Sequence, residues 1–349
     1  LDFATAPFLV IWETTQACEL ACTHCRASAR PDRSPGELTT AEGERLLAEA
    51  AAMGTPVFIL SGGDPLKRPD IFRLVRAGKR HGLRMGTVPA ATAALTEDVV
   101  RDLRDTGLDQ MALSLDFPRA DLHDGFRGVV GAFDRTIEAA GWARRHGLPL
   151  QINTTVCGQS LPYLSEMARL VEELGVVFWE IFFLVPMGRG VALGGVTPEE
   201  CESAFDLLYG VQRRVPFVLK VTEAPHYRRH VAERECWPSG ATMPPRLRRS
   251  EGPGGTVGLA PRGVNAGDGF AFVSHVGDVF PSGCLPLRAG NIRTEPLADI
   301  YRDSPLFREL RQPDRLLGRC GRCEYRQICG GSRSRAFALT GNHLATDPW

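Results

Sequence analysis

Three cysteines near the start of the chain have a spacing that suits metal chemistry. Cys18, Cys22 and Cys25 form a C-x3-C-x2-C loop directly after an apolar run at residues 8–12. Thiolates are soft ligands that bind iron–sulfur clusters and zinc. Three of them can hold three corners of a [4Fe–4S] cube and leave one iron open to chelate a substrate or cofactor. A structural zinc site is the alternative, but it normally has a fourth protein ligand, and His24 is the only local candidate.

A second cysteine group lies near the end of the chain, at Cys320, Cys323 and Cys329. Cysteines in such short-spaced groups indicate metal or redox chemistry in a reducing compartment, so we expect a cytoplasmic protein rather than a secreted disulfide framework. The residues at the start of the chain do not resemble a signal peptide. Lys plus Arg and Asp plus Glu both number 41, so net charge predicts neither a nucleic-acid nor a membrane partner.

The elements that must position the first group alternate along residues 8–213. Apolar runs predict six strands, at 8–15, 56–62, 84–89, 111–116, 150–156 and 177–185. Amphipathic patterns predict helices between them, around 39–53, 69–81, 96–106, 130–146, 161–174 and 197–213. Six βα units in a row indicate a parallel sheet with right-handed crossovers, either a barrel or an open doubly wound sheet.

Polar residues and glycines collect at the predicted carboxyl ends of these strands, where both architectures bind ligands. Strand one runs into the cysteine loop and strand two into Ser61-Gly62-Gly63-Asp64-Pro65. Ser114 and Asp116 end the fourth strand, Asn153 lies in the fifth, and the sixth ends at Val185. Turn formation alone would explain the glycines and prolines, but not the polar side chains at five strand ends.

The rest of the chain is predicted to form two further parts. Residues 214–269 are a bridging segment, in which 237–269 have the composition of a lid, a binding loop or a disordered stretch. The basic and aromatic residues at 226–230 could face a cavity or could equally lie on a solvated surface. Residues 270–349 form a small module with a hairpin at 270–280, a helix near 297–301 and the second cysteine group.

The cysteine loop and the Gly62-Gly63-Asp64-Pro65 segment together resemble the radical S-adenosylmethionine (SAM) superfamily. The resemblance implies a partial (β/α)6 TIM-like barrel, an α/β fold, with a small cluster-binding extension. It implies that Cys18, Cys22 and Cys25 hold a [4Fe–4S] cluster whose open iron is chelated by SAM. Reductive cleavage of SAM would then produce a 5′-deoxyadenosyl radical that takes a hydrogen atom from the substrate.

The resemblance also carries cofactor contacts onto this sequence. His24 stands where the family usually has an aromatic residue, and Asp64 stands where glutamate is commoner. The residues implied to contact SAM are His24, Gly62, Gly63, Asp64, Ser114, Asp116, Arg127, Asn153 and Val185. A turn or buried-polar role is the alternative for each.

The tail resembles the SPASM/twitch extension, which holds auxiliary iron–sulfur clusters. Cys320, Cys323 and Cys329 match its core spacing, with zinc as the alternative, and the following residues resemble the haem-biosynthesis subgroup of the siroheme-derived pathway. One auxiliary [4Fe–4S] cluster is expected, because Arg333 occupies the place where two-cluster members have another cysteine. The fourth ligand is expected to be Cys284, substrate, or a residue beyond Trp349, since relatives carry a cysteine after an Asp-Pro-x segment.

The expected function is radical chemistry in which the auxiliary cluster assists a net oxidation or decarboxylation, with a carboxylate-bearing tetrapyrrole as one candidate substrate. Maturation of a ribosomally made peptide is an alternative, disfavoured because strand one begins by residue 8 with no peptide-binding domain before it. Dehydrogenation of a small molecule is another, and a non-enzymatic iron–sulfur redox protein is the hypothesis from a different class. The expected partner is a low-potential electron donor of the flavodoxin or ferredoxin type.

Overall fold

The structure is a computed structural model that describes residues 1–237, 260 and 262–349. Most of the segment predicted as a lid, residues 238–259 and 261, lies outside the described residues. Among those described, no helix is both long enough and apolar enough to cross a membrane.

Seven parallel strands follow one another in chain order across the sheet, each hydrogen-bonded to the next. The six strands predicted up to residue 185 are all present, with ends one to two residues shorter at most positions, and a seventh continues the sheet. Their bounds are β1 Leu9–Glu13, β2 Val57–Ser61, β3 Arg84–Thr87, β4 Gln110–Ser114, β5 Leu150–Val156, β6 Phe178–Phe183 and β7 Val218–Thr222.

Helices connect successive strands and cover the outer face of the sheet. The first eight are α1 Thr40–Ala52, α2 Ile71–Arg80, α3 Glu97–Asp105, α4 Ala120–Arg127, α5 Ala132–Arg145, α6 Leu164–Glu173, α7 Pro198–Arg214 and α8 Tyr227–Arg234. Thr39, Thr96 and Thr197 are the N-caps of α1, α3 and α7, because each side chain accepts a hydrogen bond from a backbone N–H of the first turn.

Alternation along the strands separates the core from the interior of the barrel. Trp12 and Phe58 point outward and are fully buried against the helices. The helix α1 can pack this closely because it has a glycine at position 43, where a Cβ atom would lie 2.6 Å from the Trp12 ring. Leu9 and Ile11, from the same strand as Trp12, point inward and line a cavity.

The tail continues the same sheet on the other side of β1. Strands β8 Phe270–Val273, β9 Asp278–Phe280 and β10 Gly290–Asn291 follow, with β8 parallel to β1 and antiparallel to β9, as the predicted hairpin requires. The last helices are α9 Leu297–Asp303, α10 Pro305–Leu310, α11 Gly318–Arg322 and α12 Arg333–Thr340. The domain boundaries predicted at residues 213 and 269 stay predictions. Strands from before, between and after these two boundaries belong to one sheet.

Candidate cluster and substrate site

The first cysteine group lies on the loop between β1 and α1, and backbone and side-chain hydrogen bonds close this loop on itself. Cys18 N donates to Arg30 O at 2.8 Å, and the Thr15 hydroxyl donates to Glu37 Oε1 at 2.5 Å. Each of the three sulfur atoms also accepts a hydrogen bond. Cys18 receives the Leu20 N–H at 3.4 Å, Cys25 the Ala29 N–H at 3.4 Å, and Cys22 the Arg127 Nη1 group at 3.7 Å.

Glycines from neighbouring strand ends pack against the backbone of this loop. A Cβ atom at Gly62 would lie 2.6 Å from Thr15 O, one at Gly63 would lie 2.4 Å from Ala17 O, and one at Gly188 would lie 2.5 Å from Cys25 O. Gly63 N and Asp64 N donate to the Thr15 and Ala17 carbonyls at 2.8 and 2.7 Å. The predicted glycine motif therefore holds the cysteine loop directly.

Asp64 is fully buried and faces the loop after β3. Its carboxylate accepts hydrogen bonds from Leu66 N at 3.1 Å, Ala90 N at 3.3 Å and the Thr92 hydroxyl at 3.3 Å. Burial raises the pKa of Asp64 above its usual value. Donors of the chain itself thus surround this carboxylate, which joins the ends of β2 and β3.

Asp116 and Arg127 form a buried ion pair beside the cysteine loop. Asp116 Oδ1 also accepts the Thr155 N–H at 2.8 Å, and the Arg127 guanidinium reaches Cys22. Burial opposes ionisation of Asp116, but the charge of Arg127 holds the pKa of that carboxyl below its usual value. The pair therefore places no net charge next to Cys22.

His24 stacks on Phe126 with the ring centroids 4.3 Å apart and an angle of 12° between the planes. Burial lowers the pKa of His24 to about 3, so its imidazole is neutral at physiological pH. His24, Asn153 and Val185 all line the cavity. Ser114 lies opposite Asn153 in the register of β4 and β5.

Two arginines of this region were not predicted as site residues. Arg189, after β6, donates from Nε to Cys22 O at 2.8 Å and from Nη1 to Ala29 O at 3.3 Å. Arg26 forms an ion pair with Glu13 and lies over the Phe272 ring at 4.6 Å. The position of Arg26 next to Cys25, and the Gly188-Arg189-Gly190 sequence, were the signals that could have identified them.

The residues around the loop fit a cluster that carries SAM. All three sulfur atoms accept N–H groups, which suits the thiolate form, and three buried nitrogen atoms beside them have no hydrogen-bond partner in the described part of the chain: His24 Nδ1, Arg127 Nε and Arg189 Nη2. Among the described residues, no group of three or more His, Cys, Asp or Glu side chains is gathered to hold one metal ion. The ligands of a cubane each bind a different iron, so they need not converge on one point.

The second cysteine group lies on and after α11. Cys320 Sγ accepts the Asp347 N–H at 3.4 Å and the Arg333 Nη2 group at 3.7 Å, while Cys329 Sγ accepts the Gly331 N–H at 3.4 Å. Cys323 ends α11. Burial raises the pKa of the Cys329 thiol to about 11, so iron must displace its proton on binding.

Cys284 lies on the cavity wall, and its neighbouring charges are Glu223 and Arg26. Burial raises the pKa of its thiol to about 12. Cys284 therefore lines the same cavity as His24 of the first cysteine loop and Arg333 of the tail.

Glu223, which the sequence did not single out, joins the end of β7 to the tail. Its carboxylate accepts hydrogen bonds from the hydroxyls of Ser332 at 2.6 Å, Ser334 at 3.0 Å and Ser282 at 3.3 Å. Its backbone has a φ of 58°, in the left-handed region that costs a residue with a Cβ atom about 1 kcal/mol. A single glutamate after a strand carries no pattern that would reveal this role.

The cavity has a volume of about 380 Å³, within the range of roughly 300–1,000 Å³ that is usual for small-molecule sites. One wall is apolar, and the other, on β4 to β7, carries most of the polar side chains, with Phe178 and Phe182 among them. The apolar wall comprises Leu9, Ile11, Val57, Ile59, Phe270 and Phe272, and the polar wall Gln110, Gln151, Asn153, Glu180, Lys220 and Thr222.

Hydrogen bonds join the side chains of the polar wall into one network. Gln151 accepts from Gln110 at 2.5 Å and donates to Asn153 at 2.6 Å and to Glu180 at 3.0 Å. Lys220 Nζ then donates to Glu180 Oε1 at 2.7 Å. The network holds these groups in place before any ligand arrives.

The charged side chains that line the cavity are four cations, Arg26, Lys220, Arg228 and Arg333, and two carboxylates, Glu180 and Glu223. Of the basic and aromatic residues at 226–230, only Arg228 is part of this lining. Arg229 instead pairs with Glu202 and Glu233, and Tyr227 and His230 are buried.

Family models match both parts of the chain. The model of the radical SAM superfamily covers residues 12–171, and that of the SPASM iron–sulfur cluster-binding domain covers residues 265–324. An AdoMet-dependent heme synthase of Methanosarcina barkeri is 40% identical over 349 residues, which are 100% of this chain and 97% of the relative.

The chain belongs to the radical SAM superfamily. Its similarity to the heme synthase places it in the haem-biosynthesis subgroup, as the tail sequence predicted. The family brings a [4Fe–4S] cluster and SAM, and the SPASM domain brings an additional iron–sulfur cluster. Membership identifies an enzyme, so the hypothesis of a non-enzymatic iron–sulfur protein is wrong.

Two further matches bear on fold and substrate. A PqqA peptide cyclase of Methylocella silvestris is 28% identical over 98% of this chain and 87% of its own length. The structure of SuiB from Streptococcus suis bound to S-adenosylmethionine superposes with a TM-score of 0.73 at 18% identity, over 98% of this chain and 76% of SuiB. The latter confirms the fold, a partial barrel with a C-terminal extension.

Proposed function

We propose that this enzyme oxidises a tetrapyrrole that carries carboxylate side chains, with decarboxylation of those side chains as the outcome. The observation that carries the proposal is the cavity, which has one apolar wall, one polar wall and more cations than carboxylates. A flat apolar macrocycle with charged edges matches this division, and arginines bind carboxylates bidentately. The similarity to a heme synthase over the full chain supports the same substrate class.

The proposed ligands of the first cluster are Cys18, Cys22 and Cys25, and those of the tail cluster are Cys320, Cys323, Cys329 and Cys284. When bound, the first cluster and SAM supply a 5′-deoxyadenosyl radical that removes a hydrogen atom from the substrate. His24, stacked on Phe126, and the apolar wall of the cavity exclude water from this step.

Decarboxylation after loss of a hydrogen atom releases CO2 and leaves one electron for an acceptor. Held by the tail cysteines, an iron–sulfur cluster would supply an acceptor for this electron near the cavity, because Arg333 and Gly331 contact those cysteines and also line the cavity. An external low-potential donor, of the flavodoxin or ferredoxin type, would reduce the first cluster. The ten free thiols of the described residues support a reducing, cytoplasmic location.

The test is an anaerobic assay of the reconstituted, dithionite-reduced protein with SAM and an iron porphyrin that bears four propionates. We expect formation of 5′-deoxyadenosine and, by mass spectrometry, loss of CO2 and two hydrogens from propionate side chains. Absence of 5′-deoxyadenosine would contradict the radical chemistry. Formation of 5′-deoxyadenosine with an unchanged porphyrin would contradict only the substrate class.

A peptide substrate is the second candidate, favoured by the similarity to the peptide cyclase over nearly the whole chain. A precursor peptide and the iron porphyrin can be compared in the same assay. Cross-linking of the peptide, with no change in the porphyrin, would establish maturation in place of decarboxylation.

The ligand assignment of Cys284 has its own test. We expect Cys284→Ala to lower the iron content of the tail, whereas Cys157→Ala, a change at another buried cysteine, should leave it unchanged. Equal iron contents in the two variants would exclude Cys284 as the fourth ligand.

A further inference from the structure

Arg333 lies between the tail cysteines and the cavity, and only 5% of it is exposed. Its Nη2 atom is 3.7 Å from Cys320 Sγ, within hydrogen-bonding range for sulfur. Its other nitrogen atoms donate to backbone carbonyls, from Nε to Gly331 O at 3.3 Å and from Nη1 to His343 O and Ala345 O at 2.8 Å each.

These contacts leave the Arg333 guanidinium without a hydrogen-bonded carboxylate. Carbonyl oxygens are neutral, and an arginine side chain is not deprotonated in proteins. Asp347 is the acidic residue beside Cys320, but Arg335 binds its carboxylate through two hydrogen bonds of 2.8 Å. One positive charge therefore remains at the sulfur of Cys320.

The first cysteine group has the same kind of contact with a different charge balance. Arg127 Nη1 is also 3.7 Å from a cysteine sulfur, that of Cys22. Its guanidinium, however, forms an ion pair with Asp116, which is fully buried. The charge of Arg127 at Cys22 is thus paired with a carboxylate, whereas the charge of Arg333 at Cys320 is not.

We infer that Arg333 raises the reduction potential of the tail cluster above the value that its cysteine ligands alone would set. Hydrogen bonds to the sulfur atoms and nearby charge control the potentials of such clusters, and a positive charge stabilises the reduced, more negative state. The inference rests on the proposed assignment of Cys320 as a ligand. For this effect Arg333 is a positioning residue, because it acts through the cluster and not on the reacting atoms.

The potential can be measured by an EPR-monitored redox titration of the full-length protein in which Cys18, Cys22 and Cys25 are changed to alanine, so that only the tail cluster contributes. We expect Arg333→Gln to lower the equilibrium constant for one-electron reduction about tenfold, equivalent to about 59 mV. Arg333→Lys keeps the charge and should shift the constant much less.

Arg322→Gln is the matched control, since it removes an exposed arginine from the same cysteine segment. A shift in Arg333→Gln no larger than that in Arg322→Gln, or a shift in the opposite direction, would overturn the inference. Iron and sulfide analysis of Cys320→Ala tests the ligand assignment separately, and a full complement of both would contradict that assignment. The substrate assay depends on neither result.

If Arg333→Gln does not bind the cluster, the protein with Cys18, Cys22 and Cys25 changed to alanine and Arg333 intact provides the decisive measurement, because Arg127 makes the same contact with Cys22 in the first group. Electron–nuclear double resonance on this protein labelled with 15N-arginine should show a coupling between the reduced tail cluster and a guanidinium nitrogen. This coupling should be absent when Arg333→Lys is added. Its absence with Arg333 intact, or its persistence with Arg333→Lys, would overturn the inference.

Discussion

Close backbone contacts with neighbouring strand ends hold the loop that carries Cys18, Cys22 and Cys25, with Arg189 as an added side-chain contact. Buried side chains have the larger part in holding the loop that carries Cys320, Cys323 and Cys329. Gly63 and Gly188 bring neighbouring strand ends against the first loop at distances that leave no space for a Cβ atom. In the tail, the guanidinium of Arg335 connects Asp347 with the carbonyl of Glu223, and Trp349 stacks 3.5 Å from it.

The difference shows how each loop depends on the rest of the molecule. The position of the first loop depends on the sheet, because the residues that hold the loop follow β2 and β6. The tail loop is attached through a few buried polar contacts, so single side chains have a large share in its stability. We expect substitutions in the tail to remove the tail cluster, and substitutions at Gly63 or Gly188 to remove the first cluster.

The largest effect is expected for Arg335→Met, which leaves Asp347 buried without its partner. Removal of one member of a buried ion pair costs about 3–5 kcal/mol of stability. We expect the tail to detach and the iron content to fall from about eight to about four per chain, one cubane in place of two. Chemical denaturation and iron analysis are the measurements.

Arg308→Met is the control for this prediction, because Arg308 and its partner Asp303 are both exposed. Exposed pairs contribute at most about 1 kcal/mol. Equal losses of stability in Arg335→Met and Arg308→Met would show that side chains do not hold the tail as described.

A smaller effect is expected for Gly63→Ala. The new methyl group would meet Ala17 O at 2.4 Å, and such overpacking costs about 1–3 kcal/mol. The first cluster should be lost while the tail cluster remains, which EPR of the reduced protein can distinguish. Gly141→Ala, in α5 with no atom within 4 Å of the added carbon, should bind both clusters. Retention of the first cluster in Gly63→Ala would show that close backbone packing at Gly63 is not needed to hold the first loop.

The smallest effect concerns Glu42 of α1, which forms an ion pair with Arg293 of the tail. The hydrogen bond from Arg293, with the contacts to Thr39, lowers the pKa of Glu42 to about 2. Because the folded pKa lies below the unfolded value of about 4.3, the pair stabilises the fold above that pH and the contribution disappears as pH falls towards 2. Arg293 is partly exposed, so we expect Glu42→Gln to cost only about 0.5 kcal/mol at pH 7.

Glutamine keeps the capping box of α1, so the substitution removes the charge and little else. The difference in unfolding free energy between wild type and Glu42→Gln should therefore shrink between pH 5 and pH 2 in denaturation curves. Glu44→Gln is the comparison, because the partner of Glu44 is Arg73 of α2 and this ion pair does not reach the tail. A difference that is constant with pH would contradict the role of Arg293.

Much of the first site was predictable because its signals are local. The spacing of Cys18, Cys22 and Cys25 and the adjacent glycines Gly62 and Gly63 lie within short segments, so the sequence displays them together. Parallel strands bring their carboxyl ends to one edge, which is why the ends of β2, β4 and β5 could be expected near the cysteine loop.

The residues that were missed act across long sequence separations. Arg189 binds the carbonyl of Cys22, and Glu223 receives the hydroxyls of Ser332 and Ser334, more than a hundred residues away in each case. Arginine and glutamate are common on surfaces, and no periodicity distinguishes the few that turn inward. For the same reason, the sequence did not show which of the basic and aromatic residues at 226–230 lines the cavity, and in the structure only Arg228 does.

Apolar periodicity and thiolate spacing are properties of neighbouring residues, so they were enough to predict the six strands up to residue 185, the two cysteine groups and the family. Folding sets what surrounds each sulfur. It paired Arg127 with Asp116 and left Arg333 without a carboxylate, since a charge is compensated only by the groups that folding brings to it.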